Sequence, residues 1–416
     1  MSAPPTRPDR PMDGLTRRSL LLGSGVLGAA AVIAGATRVD LGQVLARAAS
    51  DRLPTSSPIL VVVTLYGGND WLNTVVPHAD SAYYAARPGL AHAAGSVLPI
   101  DDGLGLAPTL TGLAREYAAG RLAVVRGVGY PKPDRSHFRS MDIWQTGSPE
   151  SPTSSGWLGR WLDGAGTDPL LAIGIGSVLP PLLVGATTAA AALDSGRTPR
   201  AAKRVQDLDR VAAGLAVADP ADSEAARAAA ASYAAYRLVQ GVAGPAPATA
   251  PPTTTRAGEL TRQLELVARC ITAGAPTRVY AASLGGFDTH ADELGRQGAL
   301  LAELDAGLAA LRAGLAGTAR ESDVVTLVYS EFGRRVAANG SDGTDHGTAG
   351  NVLLLGHPVR GGVHGEQPSL TALDAGDLRM TTDFRSVYAA LLDRVLGTDP
   401  ARVLGDRCPA PLDVLR

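Results

Sequence analysis

The sequence predicts an α/β fold in which a central, mostly parallel sheet is flanked by helices. The β-branched run Pro58–Leu65 is apolar almost throughout, which is typical of a strand buried on both faces of a parallel sheet. A helical pattern, Pro108–Ala119, and a second apolar run, Leu122–Arg126, follow it. The chain therefore begins with the strand, helix, strand alternation of an α/β protein.

The later part of the chain continues this alternation. Further strands are predicted at Arg278–Ala282, Val324–Tyr329 and Val352–Leu355, and helices at Ala257–Ala273, Ala291–Leu315 and Phe384–Leu396. Before them, residues 186–255 are alanine-rich, with a breaker at Asp219-Pro220 and a Pro/Thr-rich end. This composition predicts an inserted helical cap, and a flexible excursion without a role in chemistry is the alternative.

The N-terminus predicts an export signal. Arg17 and Arg18 precede an uncharged apolar stretch that ends at Ala36, which is the layout of a twin-arginine signal. As a helix this stretch would span about 25 Å, just short of the roughly 30 Å hydrocarbon core, so retention as an anchor is possible. Cleavage is the favoured alternative. Small residues offer two cleavage sites, Ala34–Ala36 and Ala46–Ala48.

These signals divide the chain into two parts. We expect residues 1–50 to be the twin-arginine signal and tether, and residues 51–416 to form the α/β domain with its insertion at about 186–255. The protein should be exported to the periplasm, the cell envelope or the exterior. It should touch the membrane only through an uncleaved signal.

Composition restricts the classes of function. A formal net charge of -2 and a pI near 6.4 argue against nucleic-acid binding, which needs clustered Lys and Arg. Cys270 and Cys408 are the only cysteines, so a thiolate zinc site is excluded and a bridge between them stays open. Any metal must therefore be bound by histidine and carboxylate ligands.

Polar clusters follow the predicted strands, where ligands gather in open parallel sheets. Carboxylates next to imidazoles suit zinc or another divalent metal, and a hydroxyl beside them can serve as a nucleophile. Asp70 and Asp288 could instead cap the helices that follow them. The candidate metal ligands are Asp70, Asp288, His290, Glu331, Asp345 and His346, and the candidate catalytic residues are Ser136, His137 and Arg334.

Several stretches together resemble the family called domain of unknown function 1501, whose exported members are grouped with sulfatases and alkaline phosphatases. In order they are LYGGNDWLNTVVP, LAVVRGVGY, RSHFRSMDIWQTG, GGFDTHADELG, YSEFGR, NGSDGTDHG and TTDFR. The resemblance covers nearly the whole chain after the signal. It implies an alkaline phosphatase-like sandwich with metals held at the strand ends.

By position, the resemblance also assigns roles to residues. It implies Asp70 as the first metal carboxylate, Ser136 as the nucleophile, and Asp288 with His290 as a ligand pair. A second pair has two alignments. In the first, Glu331 takes the position of the pair and His346 is the later lone histidine. In the second, Asp345-His346 is the pair and His364 is the later lone histidine.

The residues and the resemblance together predict an exported metal-dependent hydrolase of phosphate or sulfate esters. Its partners would be a small anionic ester substrate and the twin-arginine export machinery. The C/S-x-P-x-R context typical of sulfatases is missing, which disfavours sulfate esters. The alternative is a noncatalytic envelope protein that uses the same pocket to bind a ligand or a partner protein.

Overall fold

The fold is known from a computed structural model that describes residues 37–151, 153–176, 179–193 and 258–416. The predicted twin-arginine pair Arg17-Arg18 lies outside these residues, as does most of the predicted insertion, residues 194–255. Within the described ranges, no helix is long and apolar enough to cross a membrane.

A mostly parallel sheet lies at the centre of the described part of the chain and confirms the predicted fold class. Its strand order is β1-β8-β7-β9-β2-β10-β13-β6-β14, with β15 also paired to β6. Neighbours from β1 to β10 are parallel, and β13 is antiparallel to both β10 and β6. The strands of this sheet are β1 (Thr37–Val39), β2 (Ile59–Tyr66), β6 (Leu122–Gly129), β7 (Ala172–Ile175), β8 (Ala191–Leu193), β9 (Val279–Gly285), β10 (Val324–Ser330), β13 (Gly350–Leu355), β14 (Gly362–His364) and β15 (Thr382–Asp383).

Two smaller sheets accompany the central one. A three-stranded sheet has the order β3-β5-β4, and β11 pairs with β12. Their strands are β3 (Val75–Val76), β4 (Leu98–Pro99), β5 (Gly105–Leu106), β11 (Arg334–Ala338) and β12 (Thr344–His346).

Helices cover both faces of the central sheet. Side chains of a strand point alternately to opposite faces, and in β2 Val61 and Val63 pack into one core while Leu60 and Val62 pack into the other. The helices are α1 (Leu41–Ser50), α2 (Trp71–Thr74), α3 (Ser81–Ala86), α4 (Thr111–Ala118), α5 (His137–Thr146), α6 (Trp157–Ala165), α7 (Glu259–Ala273), α8 (Glu293–Leu315), α9 (Phe384–Leu391) and α10 (Pro400–Leu404). The first core is covered by α1, α4, α7 and α8, and the second by α5, α6, α9 and α10.

The predicted long elements agree with those observed. The five predicted strands are confirmed as β2, β6, β9, β10 and β13, and the predicted helices as α4, α7, α8 and α9. The last helix differs in detail, because α9 ends at Leu391 and continues as a π-helical turn over Leu392–Leu396. Short 3-10 turns occur at Ala94–Ser96, Pro169–Leu171 and Pro181–Leu183.

Two segments near the predicted domain boundaries belong to the folded domain. The predicted tether contains α1, in which Val44 is fully buried and Ala48 is 2% exposed in the core that also contains α7. Residues Ala191–Leu193, predicted as the start of the helical cap, form β8 between β1 and β7. The domain therefore begins by Thr37, and this first part of the predicted insertion is a strand of the central sheet.

The cysteines do not form a bridge in the structure. Cys270 is buried on α7, where burial raises the pKa of its thiol to about 11. Cys408 is half-buried near the C-terminus and is also free. The described domain is therefore held together without a disulfide.

The parallel strands end at one edge of the sheet. In the register of β2 with its neighbours, Leu65 lies opposite Ser330 and Tyr66 lies opposite Gly285. Strand β6 runs in the same direction, since β13 is antiparallel to both β10 and β6. The segments that follow these strands therefore meet at this edge.

Candidate metal centre

Three segments from this edge bring nitrogen and oxygen donors into one cluster. His137 is the first residue of α5, Asp288 lies between β9 and α8, and His346 ends β12. His137 Nε2 is 3.1 Å from His346 Nε2 and 3.5 Å from Asp288 Oδ1, and the last two atoms are 3.1 Å apart. Ligands at about 2.1 Å from a tetrahedral zinc ion lie roughly 3.4 Å from one another, so these three atoms have the spacing of metal ligands.

His290 adjoins this cluster and is the candidate for a fourth ligand. Its Nε2 lies 3.0 Å from Asp288 Oδ1 and 3.0 Å from His346 Nε2. Its Nδ1 is 3.6 Å from Asp345 Oδ1, and that carboxylate also accepts a hydrogen bond from Asn339. Asp345, predicted as a metal ligand, thus lies on the side of the imidazole away from the cluster.

The remaining ring nitrogens of the other two histidines are hydrogen-bonded to acceptors. His137 Nδ1 is 2.9 Å from Glu331 Oε1, and His346 Nδ1 is 2.9 Å from the carbonyl oxygen of Arg135. A carboxylate and a carbonyl can only accept, so each Nδ1 carries the proton and each Nε2 directs its lone pair at the cluster. Metal-binding histidines are oriented in this way by their outer partners.

Glu331 is the anchor of His137. It is almost fully buried, and Oε1 also accepts a hydrogen bond from the Gly67 amide at 2.8 Å. Oε2 accepts a bond from Ser330 Oγ at 2.9 Å. The sequence predicted Glu331 as a metal ligand, and the structure pairs its two oxygens with His137, Gly67 and Ser330.

Arg334 braces the site and is not available to bind a substrate. Its guanidinium group is buried and donates to four carbonyl oxygens and one carboxylate from three different segments. The sequence predicted a catalytic role for Arg334, and the structure places its fully buried side chain in contacts that join these segments. The acceptors are the carbonyls of Gly67, Gly68, Phe287 and Thr344, and Oδ1 of Asp288.

The protonation of the cluster follows from these neighbours. Burial acts to raise the pKa of Asp288, but hydrogen bonds from Arg334 and His346 bring it down to about 2, so this carboxyl is ionised. Burial lowers the pKa of His346, whereas the hydrogen bond to Glu331 raises the pKa of His137. A cation can bind only when both imidazoles are neutral, so the raised pKa of His137 means that metal binding there competes with a proton.

Ser136 is held next to the cluster by the residues on either side of it. Arg135 accepts a hydrogen bond from His346 through its carbonyl, and His137 contributes a donor atom. Ser136 itself is the exposed N-cap of α5, and its hydroxyl makes no capping bond to the helix. Its hydroxyl therefore stands at the start of a ten-residue helix, where amide N–H groups favour an anion.

A cavity of about 490 Å³ opens beside the cluster. His137, Asp288 and Glu331 form one side of it, and Phe138 and Met141 of α5 lie on another. A second cavity, of about 630 Å³, lies on the other side of the segment that precedes α5 and is lined by Arg135, among others. The first cavity is large enough for a small ester substrate next to the candidate ligands.

Asp70 lies in a different buried cluster. Both of its carboxylate oxygens accept hydrogen bonds from Arg87, and both side chains of this ion pair are fully buried. Oδ1 also accepts from the Leu72 amide and so caps α2. The structure therefore does not bring Asp70, predicted as a metal ligand, to the donor cluster. No pattern in the sequence pairs it with Arg87, which follows 17 residues later.

Glu293 completes this second cluster. Burial and the neighbouring Asp70 charge raise its pKa to about 9, and Oε2 accepts a hydrogen bond from Thr344 Oγ1 at 2.5 Å. Oε1 is buried and has no hydrogen-bond partner, an arrangement that costs less for a neutral carboxyl than for a charged one. Glu293 is therefore a neutral acid at pH 7, next to an ion pair.

This protonation predicts a pH-dependent stability. A carboxyl group with a raised pKa stabilises the fold fully below its unfolded pKa of about 4.3, and that contribution is lost as the pH rises through about 9. We expect Glu293→Gln, which keeps an N–H donor for Asp70, to lose less stability than wild type between pH 5 and 9 in urea unfolding. Glu366→Gln, at an exposed glutamate, is the control. Parallel pH profiles for wild type and Glu293→Gln would refute this role.

His364 is outside the candidate centre. It lies on β14, and its Nε2 is 2.8 Å from the carbonyl oxygen of Arg360. His346 is instead the histidine that approaches Asp288. Asp383, in the last shared motif, caps α9 and pairs with Arg385.

Comparison with solved structures finds distant similarities at low identity. The chain is similar to a protein in the alkaline phosphatase superfamily from Vibrio parahaemolyticus, with 10% identity, a TM-score of 0.41, and coverage of 94% of this chain and 79% of the other. It is also similar to Ps i-CgsB, with 9% identity, a TM-score of 0.38, and coverage of 85% and 77%. A third similar structure is BT1596, a 2-O GAG sulfatase, with 12% identity, a TM-score of 0.28, and coverage of 73% and 65%. Likenesses this distant carry no conclusion about what the chain acts on.

A family model agrees with the resemblance seen in the sequence motifs. No curated protein matches the chain. Residues 122–406, more than half of the chain, match the model described as Protein of unknown function (DUF1501), and this range contains His137, Asp288, His290 and His346. The chain therefore belongs to the DUF1501 family.

Proposed function

We propose that this protein is an exported, metal-dependent hydrolase of phosphate or sulfate esters with Ser136 as its nucleophile. The observation that carries the proposal is the approach of His137 Nε2, Asp288 Oδ1 and His346 Nε2 to within 3.5 Å of one another. Each imidazole is oriented by an acceptor at Nδ1, so lone pairs and a negative charge meet where a cation would lie.

The donor set suits zinc. His137, Asp288 and His346 would hold the cation, with His290 as a further ligand, and imidazole ligands favour zinc or a similar transition metal over magnesium or calcium. When bound, such an ion polarises an ester oxygen and lowers the pKa of a nearby hydroxyl group. Glu331 orients His137, and Arg334 fixes the position of Asp288.

Ser136 would carry the covalent step. Its Oγ forms a bond to phosphorus or sulfur as the ester oxygen leaves, and the serine proton is transferred to solvent or to the leaving alcohol. Water then cleaves the new serine ester and restores the hydroxyl group, so the net reaction consumes one water per ester. The start of α5 places backbone N–H groups near the negative charge of the substrate.

The test combines metal analysis with activity on aryl phosphate, phosphodiester and aryl sulfate panels. The purified protein should contain a stoichiometric transition metal and hydrolyse at least one ester class. Ser136→Ala should reduce turnover by at least about 100-fold and leave the metal content unchanged, because the serine is not among the ligands. Ser96→Ala, at an exposed serine outside the site, is the matched control.

The outcome also separates the enzyme from the noncatalytic alternative. Metal-free protein that is inactive on every panel would overturn the proposal. Metal-containing protein that binds an anionic ligand equally well with and without Ser136, and turns over no ester, would identify a binding protein of the cell envelope.

Export through the twin-arginine machinery belongs to the same proposal. Arg17 and Arg18 support it, and cleavage after Ala36 fits the fold better than cleavage after Ala48. The second site lies within α1, where Ala48 is buried, and a cut there would remove β1 and most of α1 from the core.

We therefore expect the mature protein to begin at Thr37. N-terminal sequencing or intact mass spectrometry of protein recovered from outside the cytoplasm measures this directly. Replacing Arg17 and Arg18 with Lys should retain the protein in the cytoplasm, while the same change at Arg38 and Arg47 is the control. A mature N-terminus at Ala49 would contradict the assignment.

A further inference from the structure

The cavity beside the candidate metal centre is polar on one side and apolar on another. His137, Asp288 and Glu331 lie on the polar side. Phe138, Met141 and Gln145 follow on α5 at the spacing i, i+3 and i+7, which places them on one face of the helix. A molecule with an anionic head and an apolar remainder would match both sides.

Phe138 is the most exposed large apolar side chain among the described residues. It is 72% exposed, whereas Leu294 and Met380 are 39% and 37% exposed. It directly follows His137, a candidate ligand, and lines the same cavity. Met141 and Pro181 add further apolar surface to the same cavity.

Charge in the cavity argues against an anionic remainder. The lining contributed by the described residues includes no Lys or Arg. Asp142, an acid on the α5 side, is already paired with Arg139 at 2.6 Å. A nucleotide or a multiply sulfated sugar would bring extra negative charges to a wall that has no cation for them.

From these observations we infer that the substrate is a mono-ester of an uncharged, apolar alcohol, aryl or alkyl, whose leaving group packs on Phe138, Met141 and Pro181. This inference rests on the proposed function and specifies its substrate class. Hydrolysis then releases the apolar alcohol, which takes a proton, and leaves the phosphate or sulfate at the polar side. The exposed Phe138 ring is the residue that selects the alcohol.

Non-hydrolysable phosphonates test the inference without requiring turnover. With zinc-loaded protein, isothermal titration calorimetry should give hexylphosphonate and phenylphosphonate at least about tenfold higher affinity than methylphosphonate, because the two larger groups bury apolar surface. The Phe138→Ala protein should lose most of this preference and keep its affinity for methylphosphonate. Phe138→Leu should restore part of it, and Leu294→Ala, outside the cavity, should leave it unchanged.

The outcomes separate this inference from the proposed function. Equal affinities of the wild-type protein for all three phosphonates would overturn the inference while leaving an anion-binding metal site in place. A preference that survives in Phe138→Ala would also overturn it. If no phosphonate binds the zinc-loaded protein, both the inference and the proposed anionic-ester site fail.

Discussion

The His346→Ala protein should purify without its transition metal and lose ester hydrolysis by more than about 100-fold. In the wild-type protein, His346 Nε2 is within 3.1 Å of both His137 Nε2 and Asp288 Oδ1. Removing this imidazole therefore takes away the donor atom that approaches both of the others. Substitution of an outer partner of a metal site costs about 10- to 100-fold in affinity or activity, and loss of a ligand should cost more. Metal content by mass spectrometry and kcat/KM on the preferred ester measure both effects.

His364→Ala is the matched control for this experiment. It removes another imidazole, but one on β14 that bonds to the Arg360 carbonyl outside the cluster. We expect this variant to keep its metal and its activity. Circular dichroism should show both variants folded, since His346 is only partly buried. Full metal content in folded His346→Ala would refute the candidate centre.

The Asp70→Ala protein should be destabilised by about 3–5 kcal/mol and retain its metal. Removal of the carboxylate leaves the buried Arg87 guanidinium without its partner, and an unpaired buried charge is among the costliest local defects. Urea unfolding measures the free energy of unfolding, and metal analysis measures the site. Asp80→Ala, which removes the exposed cap of α3, should cost only about 1 kcal/mol.

A second substitution separates loss of charge pairing from general damage. Adding Arg87→Met to Asp70→Ala removes the orphaned charge and should recover part of the lost stability, because an apolar side chain then fills the space. This variant also covers the case in which Asp70→Ala alone is too unstable to purify. A protein that loses its metal while keeping wild-type stability on Asp70→Ala would instead make Asp70 a ligand.

The fold could be predicted from the sequence where burial decides the pattern. Strand β2 is covered by helices on both faces, so its apolar run could be recognised in the sequence. Strands β10 and β13 could be recognised for the same reason. The three-residue strands β1 and β8 carry no such pattern. They form because their backbones pair with each other, which is a tertiary effect that a local pattern does not contain.

The candidate site was predictable in its location but not in the role of each side chain. Glycine-rich polar segments after buried strands located Asp288, His290 and His346, which the structure brings together. The sequence gives no sign of which acid faces the cation and which faces a histidine Nδ1. Glu331 and Asp345 were therefore expected as ligands, although in the structure they face Nδ1 atoms.

The role of His137 also could not be predicted from the sequence. Its position beside Ser136 indicated a base or a catalytic partner, whereas its ring extends to His346 and Asp288. The turn at the start of α5, which sends these neighbouring side chains in different directions, determines this role. Such a turn can be assigned only from coordinates.

The five acceptors of the Arg334 guanidinium have a consequence for how the protein could acquire its ion. Because they join the backbone after β2, after β9 and along β12, the donor atoms are already arranged by the polypeptide before any metal arrives. Loading should then involve little ordering of the chain, and stripping with a chelator should be reversible, with refilling limited by dehydration of the incoming ion. If the folded protein is exported as proposed, its donor atoms would be in place to bind the ion in either compartment.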